Sequence, residues 1–144
     1  MALFNDEEQQ QLRKAIEDAE RRTSGEIRIC VEKTCSEDVL ERAAKYFEKL
    51  GMHNTRQRHG VLIYLATVDR KFAIIGDKGI DSAVPDNFWD STKDMMLQHF
   101  KNGDLVGGLT TGLCLAGEQL AKYFPNEENK TNQLTDDIAF MDGD

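Results

Sequence analysis

Six consecutive residues, Val61-Leu62-Ile63-Tyr64-Leu65-Ala66, carry neither a charge nor an amide side chain. The run is too short for an ordinary helix and is apolar at odd and even positions alike, so it reads as a strand covered on both faces. That requirement predicts a layered molecule with a sheet in the middle and apolar cover on each side. The next strand-like run, Lys71-Phe72-Ala73-Ile74-Ile75, follows after only Thr67-Val68-Asp69-Arg70. Four residues cannot cross over a sheet, so the pair is a hairpin and runs antiparallel.

Upstream, Glu26 to Glu32 alternates strictly, with Ile27, Ile29 and Val31 on one side and Glu26, Arg28, Cys30 and Glu32 on the other. This pattern predicts a half-buried strand. Between it and the apolar run, Ser36 is placed to cap a helix whose first turn carries Glu37 and Asp38. Its apolar stripe is Val39, Leu40, Ala43, Ala44, Phe47 and Leu50, and Gly51 stops it. A strand, a helix and a strand in that order predict a parallel pair joined by a right-handed crossover. A first helix over about 6 to 22 opens with Asn5 and Glu8 in the pattern of a capping box and continues through Leu12, Ala15, Ile16 and Ala19. After the hairpin, Gly76-Asp77-Lys78-Gly79 turns the chain out of the sheet. Asp86 is placed to cap a third helix with Phe88, Trp89, Met95, Met96 and Phe100, and Leu105, Leu109, Leu113, Ala116 and Leu120 outline a fourth. Gly107, Gly108, Gly112 and Gly117 would each cost that helix about 1 kcal/mol relative to Ala, which predicts close backbone packing. The expected fold is a three-layer α/β/α sandwich around a short mixed sheet.

With 144 residues the chain fits one domain, expected over 4–125, followed by a polar acidic tail over 126–144 with at most partial order. Asp136, Asp137 and the isolated apolar Ile138 and Phe140 belong to that tail. Twenty-six acidic against 18 basic residues give a net charge of −8, which argues against nucleic acid as a partner. No stretch reaches the ~20 apolar residues that span a bilayer, so direct membrane insertion is not expected. The start, Met1-Ala2-Leu3-Phe4-Asn5-Asp6-Glu7, does not read as a secretory signal, and the expected location is cytoplasmic. Cys30, Cys35 and Cys114 lack CxxC spacing and read as reduced thiols, Cys30 on a strand and Cys114 as small helix packing.

The expected strand directions carry the functional argument. The starts of the first two strands and the end of the third must share one edge of the sheet. Thr23-Ser24-Gly25-Glu26, the segment from His53-Asn54-Thr55 to Arg58-His59, and Asp77-Lys78-Gly79 therefore converge, with Asp81, Asp86 and Asp90 close behind. Glu26 and Asp77, with hydroxyl oxygens nearby, have the hard-ligand chemistry of Ca²⁺ or Mg²⁺. Ser24, His59, Asp81 and Asp90 are the accessory candidates, His59 as an acid or base. The competing reading takes the same residues as turn formers whose charges face water. Arg58-His59-Gly60 spells the tripeptide of the histidine phosphatases, but there it follows a strand and here it precedes one. His53 and His59 are six apart with no third metal ligand evident, and His99 reads as a helix surface residue.

Arg22-Thr23-Ser24-Gly25-Glu26-Ile27, Gly51-Met52-His53 with Thr55, Gly60 to Ala66, and Ile74-Ile75-Gly76-Asp77-Lys78-Gly79-Ile80 occur in the order and spacing of the TPM domain. The chain resembles that family over about residues 4–137, including Trp89, Phe124-Pro125 and Asn132-Gln133-Leu134. The family takes its name from a thylakoid lumen phosphatase, a photosystem II repair protein and a modulator of acetylcholine-gated channels. The resemblance implies an α/β/α sandwich and, by analogy with plant relatives, weak acid phosphatase activity with a divalent metal, often calcium, near the sheet edge. For the metal ligands it points first to Asp77 and then to Glu26; the catalytic residues stay unknown. The chain is similar to the short cytoplasmic branch, which weakens any lumenal or receptor-modulating role. Two readings follow. A metal-dependent phosphatase would use a cation on Asp77 and Glu26 to polarise a phosphomonoester and activate water, but no nucleophile is evident. An accessory domain binding a protein partner, such as a membrane-protein complex, needs none, and the sequence favours it.

Overall fold

The computed structural model describes residues 3–126 and 138–142. The chain runs α1 (Asp6–Glu20), β1 (Glu26–Glu32), α2 (Val39–Lys49), β2 (Gly60–Ala66), β3 (Lys71–Gly76), α3 (Lys78–Asp81), α4 (Asp90–Lys101), α5 (Leu105–Tyr123) and β4 (Ala139–Phe140). The sheet order is β3-β2-β1-β4; β1 is parallel to β2 and to β4, and β2 and β3 form the antiparallel hairpin. This is the α/β/α sandwich that the apolar run requires.

Strand alternation sorts the core into two layers. Ile27, Ile29 and Val31 of β1 share one face with Val61, Ile63 and Leu65 of β2, packed against Leu12 and Ile16 of α1, Met96 of α4 and Leu109 and Leu113 of α5. Cys30, Leu62, Tyr64 and Ala73 face the other way onto Ala43 and Phe47 of α2. Each large apolar side chain buried this way contributes about 1.5–3 kcal/mol. β1 is therefore buried on both faces, Arg28 alone being half-buried, where alternation predicts a half-exposed strand. Its second face is polar in sequence because Glu26 and Glu32 lie beneath protein rather than in water.

The helix ends differ from expectation where several residues could cap. α1 has the full Asn5–Glu8 capping box. α2 is capped by Asp38, not Ser36, and Leu40 and Ala44 of its expected stripe are exposed. α4 begins at Asp90 without a side-chain cap, so Asp86 does not cap it, and Phe88 and Trp89 pack edge to face ahead of it. The segment after β3 is a one-turn helix rather than a plain turn. In α5 the glycines serve close packing: a Cβ on Gly112 would lie 2.4 Å from Met96 Sδ, and one on Gly117 3.0 Å from Ala19 Cα. Cys114 is exposed instead of packed.

The tail supplies a fourth strand that periodicity does not reveal. Ala139 and Phe140 pair with Cys30 and Val31, and Ile138 is buried. Two residues are too few for an alternation signal. Residues 127–137, with Asn132-Gln133-Leu134, Asp136 and Asp137, lie outside the described residues.

Candidate functional site

Register places the predicted convergence. Glu26 pairs with Gly60 and Val61 with Gly76, so the starts of β1 and β2 and the end of β3 form one edge. Backbone hydrogen bonds tie the entering loops across it: Glu26 N–H donates to His59 O at 3.1 Å and Asp77 N–H to Gly60 O at 2.9 Å.

Asp77 is the centre of the edge and is nearly buried, with its side chain 5 % exposed. Arg58 grips both of its oxygens, Nε to Oδ2 at 2.6 Å and Nη2 to Oδ1 at 2.8 Å, a bidentate pair with fixed geometry. Asp77 Oδ1 also accepts from Lys78 N–H, which starts α3. Arg58 has a left-handed backbone with φ 58°, uncommon for a non-glycine residue. Gly79 holds that loop down: its N–H donates to Arg58 O, and a Cβ there would sit 2.2 Å from Gln57 O and 2.7 Å from Arg58 O. Asp81 lies one turn beyond Asp77; partial desolvation and the neighbouring Asp77 charge push its carboxyl pKa upward. Phe47, Arg58, Ile75, Asp77, Lys78 and Asp81 line an open depression of about 580 Å³.

Beside this pair, Ser24 Oγ lies 2.9 Å from His59 Nδ1, both residues half-buried. Phe124 packs on the imidazole with centroids 4.2 Å apart. In the tautomer protonated on Nε2 the hydroxyl donates to the ring, the geometry of a base and a nucleophile. The nearest amides are already used: Ser24 N–H donates to Phe124 O and Gly25 N–H to Thr23 Oγ1. Neither is open to a developing oxyanion.

The structure thus joins Ser24 to His59 and Asp77 to Arg58, and sets Asp81 beside Asp77. Asp90 is the exposed first residue of α4, and nothing in the geometry ties it to this cluster among the described residues. Glu26 is 1 % exposed, one strand beyond Gly60. Its backbone stands about 10 Å from that of Asp77, two strand spacings away. Ca²⁺ needs six or more oxygens. Among the described residues no group of three or more His, Cys, Asp or Glu could hold a metal ion. As placed, Asp77 and Glu26 do not fit a shared cation cage, because Asp77 already serves Arg58 and α3.

Sequence reasoning missed a heavily bonded acid, Glu32, at the opposite end of β1. Its side chain is 5 % exposed and takes Arg42 Nε and Nη2 at 2.9 Å each, Tyr46 Oη at 3.0 Å and Tyr64 Oη. Burial alone would raise the Glu32 carboxyl pKa, but hydrogen bonds from Arg42, Tyr64 and Tyr46 outweigh it and hold it below the usual carboxylate value. Burial and Glu32 push the Tyr46 phenol up to about 12, and burial with the Glu32 charge does the same to the Cys30 thiol, about 12, leaving it unreactive. The signal was available: Arg42 and Tyr46 are four apart on the helix that covers Glu32 and Tyr64. Glu20 was missed too; its Oε2 accepts Ile27 N–H at 2.7 Å, on the side of β1 that the short β4 leaves uncovered.

A mixed sheet with a parallel β-α-β unit, a hairpin and a polar start edge defines an α/β/α domain of the kind the motifs suggest. The sequence profile of the TPM domain matches residues 1–119, and the chain belongs to the TPM domain family. The BA42 protein of the psychrophilic bacterium Bizionia argentinensis, solved by NMR, is 44% identical over 96% of both chains, with a TM-score of 0.91. The N-terminal domain of a P. gingivalis protein (17% identity, 89% and 84% coverage, TM-score 0.70) shares the fold. So does that of cg2496 from Corynebacterium glutamicum (14%, 90% and 79%, TM-score 0.63). No curated protein matches the chain. None of the described helices is long and apolar enough to cross a membrane.

Proposed function

We propose that this TPM domain is an accessory module that binds a protein partner through the start edge of its sheet. The observation that carries this reading is the Arg58–Asp77 pair: it commits the strongest metal-ligand candidate to holding a loop. The depression that results mixes both charges with apolar surface from Phe47 and Ile75, a composition suited to protein contact. Exposed Asp81, on the lining of that depression, favours a basic surface on the partner, for which a membrane-protein complex is one candidate. A divalent cation reaching Asp77 would compete with Arg58. The test is cross-linking from native extract through Lys78. Salt-sensitive capture of one partner, lost in Asp81→Lys, supports the reading; capture indifferent to both salt and Asp81→Lys contradicts it.

The second reading, a weak metal-dependent acid phosphatase acting on phosphomonoesters, gains support from the Ser24–His59 contact, a hydroxyl set against a ring nitrogen in the geometry a nucleophile and its base would need. Hydrolysis of p-nitrophenyl phosphate that disappears with chelator and in Ser24→Ala would favour this reading over the first.

A further inference from the structure

At the opposite end of the sheet a second concavity of about 340 Å³ lies between the β2–β3 hairpin and the α4–α5 turn. The apolar part of its lining comes from Leu65, Phe72, Leu97, Phe100 and Leu105. Phe72 and Phe100 meet edge to face with centroids 5.0 Å apart, and Leu97 stays 39% exposed. Two cations, Arg70 and Lys101, also line it, and among the described residues neither has an ion pair. The neighbours of Arg70 are occupied: Asp69 accepts from Cys35 N–H, and Lys71 Nζ donates to Cys35 O. In a chain of net charge −8, this cavity thus brings together two cations that, among the described residues, no carboxylate pairs.

The backbone supplies an independent observation. Among the described residues the non-glycine positions with positive φ are Arg58, at 58°, and Arg70, at 55°. Each lines one of the two concavities. Arg70 closes the β2–β3 turn in that conformation, which fixes where its long cationic side chain leaves the backbone.

We infer that this cavity binds a small amphiphilic carboxylate, its apolar body between Phe72, Phe100 and Leu97 and its carboxylate on Arg70 and Lys101. The volume is at the lower end for small-molecule sites, and the lining has the usual form of an apolar body with a few convergent polar groups. Arg70 offers a carboxylate a two-pronged donor, Lys101 a point charge. This inference is independent of the start edge, and its test involves none of the residues there.

The test is an amide NMR titration of the full chain with octanoate, and with octan-1-ol as the uncharged control. Saturable shifts are expected at residues 65–72 and 97–105, with octanoate binding roughly fivefold or more tightly than the alcohol. The Arg70→Gln, Lys101→Gln double variant should lose that preference while binding the alcohol as before; both positions are exposed, and an otherwise unchanged spectrum reports the fold. Equal binding of acid and alcohol by the wild type, a preference that survives the double variant, or no saturable octanoate shift up to about 10 mM would each overturn the inference.

Discussion

The two ends of β1 carry buried glutamates in different settings. At its far end Glu32 lies in a closed network in which Arg42, Tyr46 and Tyr64 all donate to it. At its start, Glu26 lies under loops whose polar groups pair two by two, Ser24 with His59 and Asp77 with Arg58, around an open depression. A saturated buried network serves stability and has no capacity left for a ligand. An edge built of loops on a rigid sheet leaves surface to offer. The difference teaches that the bonding of an acid, not its burial, separates a structural group from a candidate binding group.

The largest test of this contrast removes Glu32. Glu32→Ala strands Arg42 and two phenols, and a loss of about 3–5 kcal/mol is expected in urea unfolding. A loss below that of the start-edge variants would erase the distinction between the ends. Acid titration sharpens it. The Glu32 pKa is lowered in the fold, so its stabilisation is present above the unfolded value of about 4.3 and disappears as pH falls through the lower folded value. Below about pH 4.5 the wild type should therefore lose stability more steeply than Glu32→Gln; parallel slopes would exclude Glu32 as the source.

Gly79→Ala comes next, at roughly 1–3 kcal/mol, because its Cβ meets backbone oxygens that cannot rotate away. The His59 ring signals should shift with it, and silent His59 signals would separate the loop from the Ser24 contact. Asp77→Ala should cost about 1–2 kcal/mol, since it removes the start of α3 together with an ion pair whose Arg58 half is 37% exposed and screened. Gly112→Ala is the smallest. Gained helix propensity, about 1 kcal/mol, offsets displacement of the flexible Met96 thioether, so thermal unfolding should move little.

Much of this was legible in sequence. The Val61–Ala66 run demanded two covering layers, the four-residue link demanded a hairpin, and together they brought Ser24, His59 and Asp77 to one edge. Helix starts were less legible where several capping residues adjoin: Ser36 and Asp38 can both cap α2, and only packing chooses. β4 was invisible because a two-residue strand has no period. The pairing of Arg58 with Asp77 was hidden for a different reason. Nineteen positions separate them, and the left-handed turn that aims Arg58 has no glycine or asparagine to announce it.

The central claim is that Arg58, holding Asp77, makes the start edge a contact surface and not a ready cation site. Calcium titration of the wild type, Arg58→Gln and Asp77→Ala, followed by the amide signals of residues 76–81, tests it most directly. The account predicts weak binding by the wild type, tighter binding once Arg58→Gln frees the carboxylate, and none in Asp77→Ala. Wild-type binding through Asp77 that is tight and weakens in Arg58→Gln would contradict it.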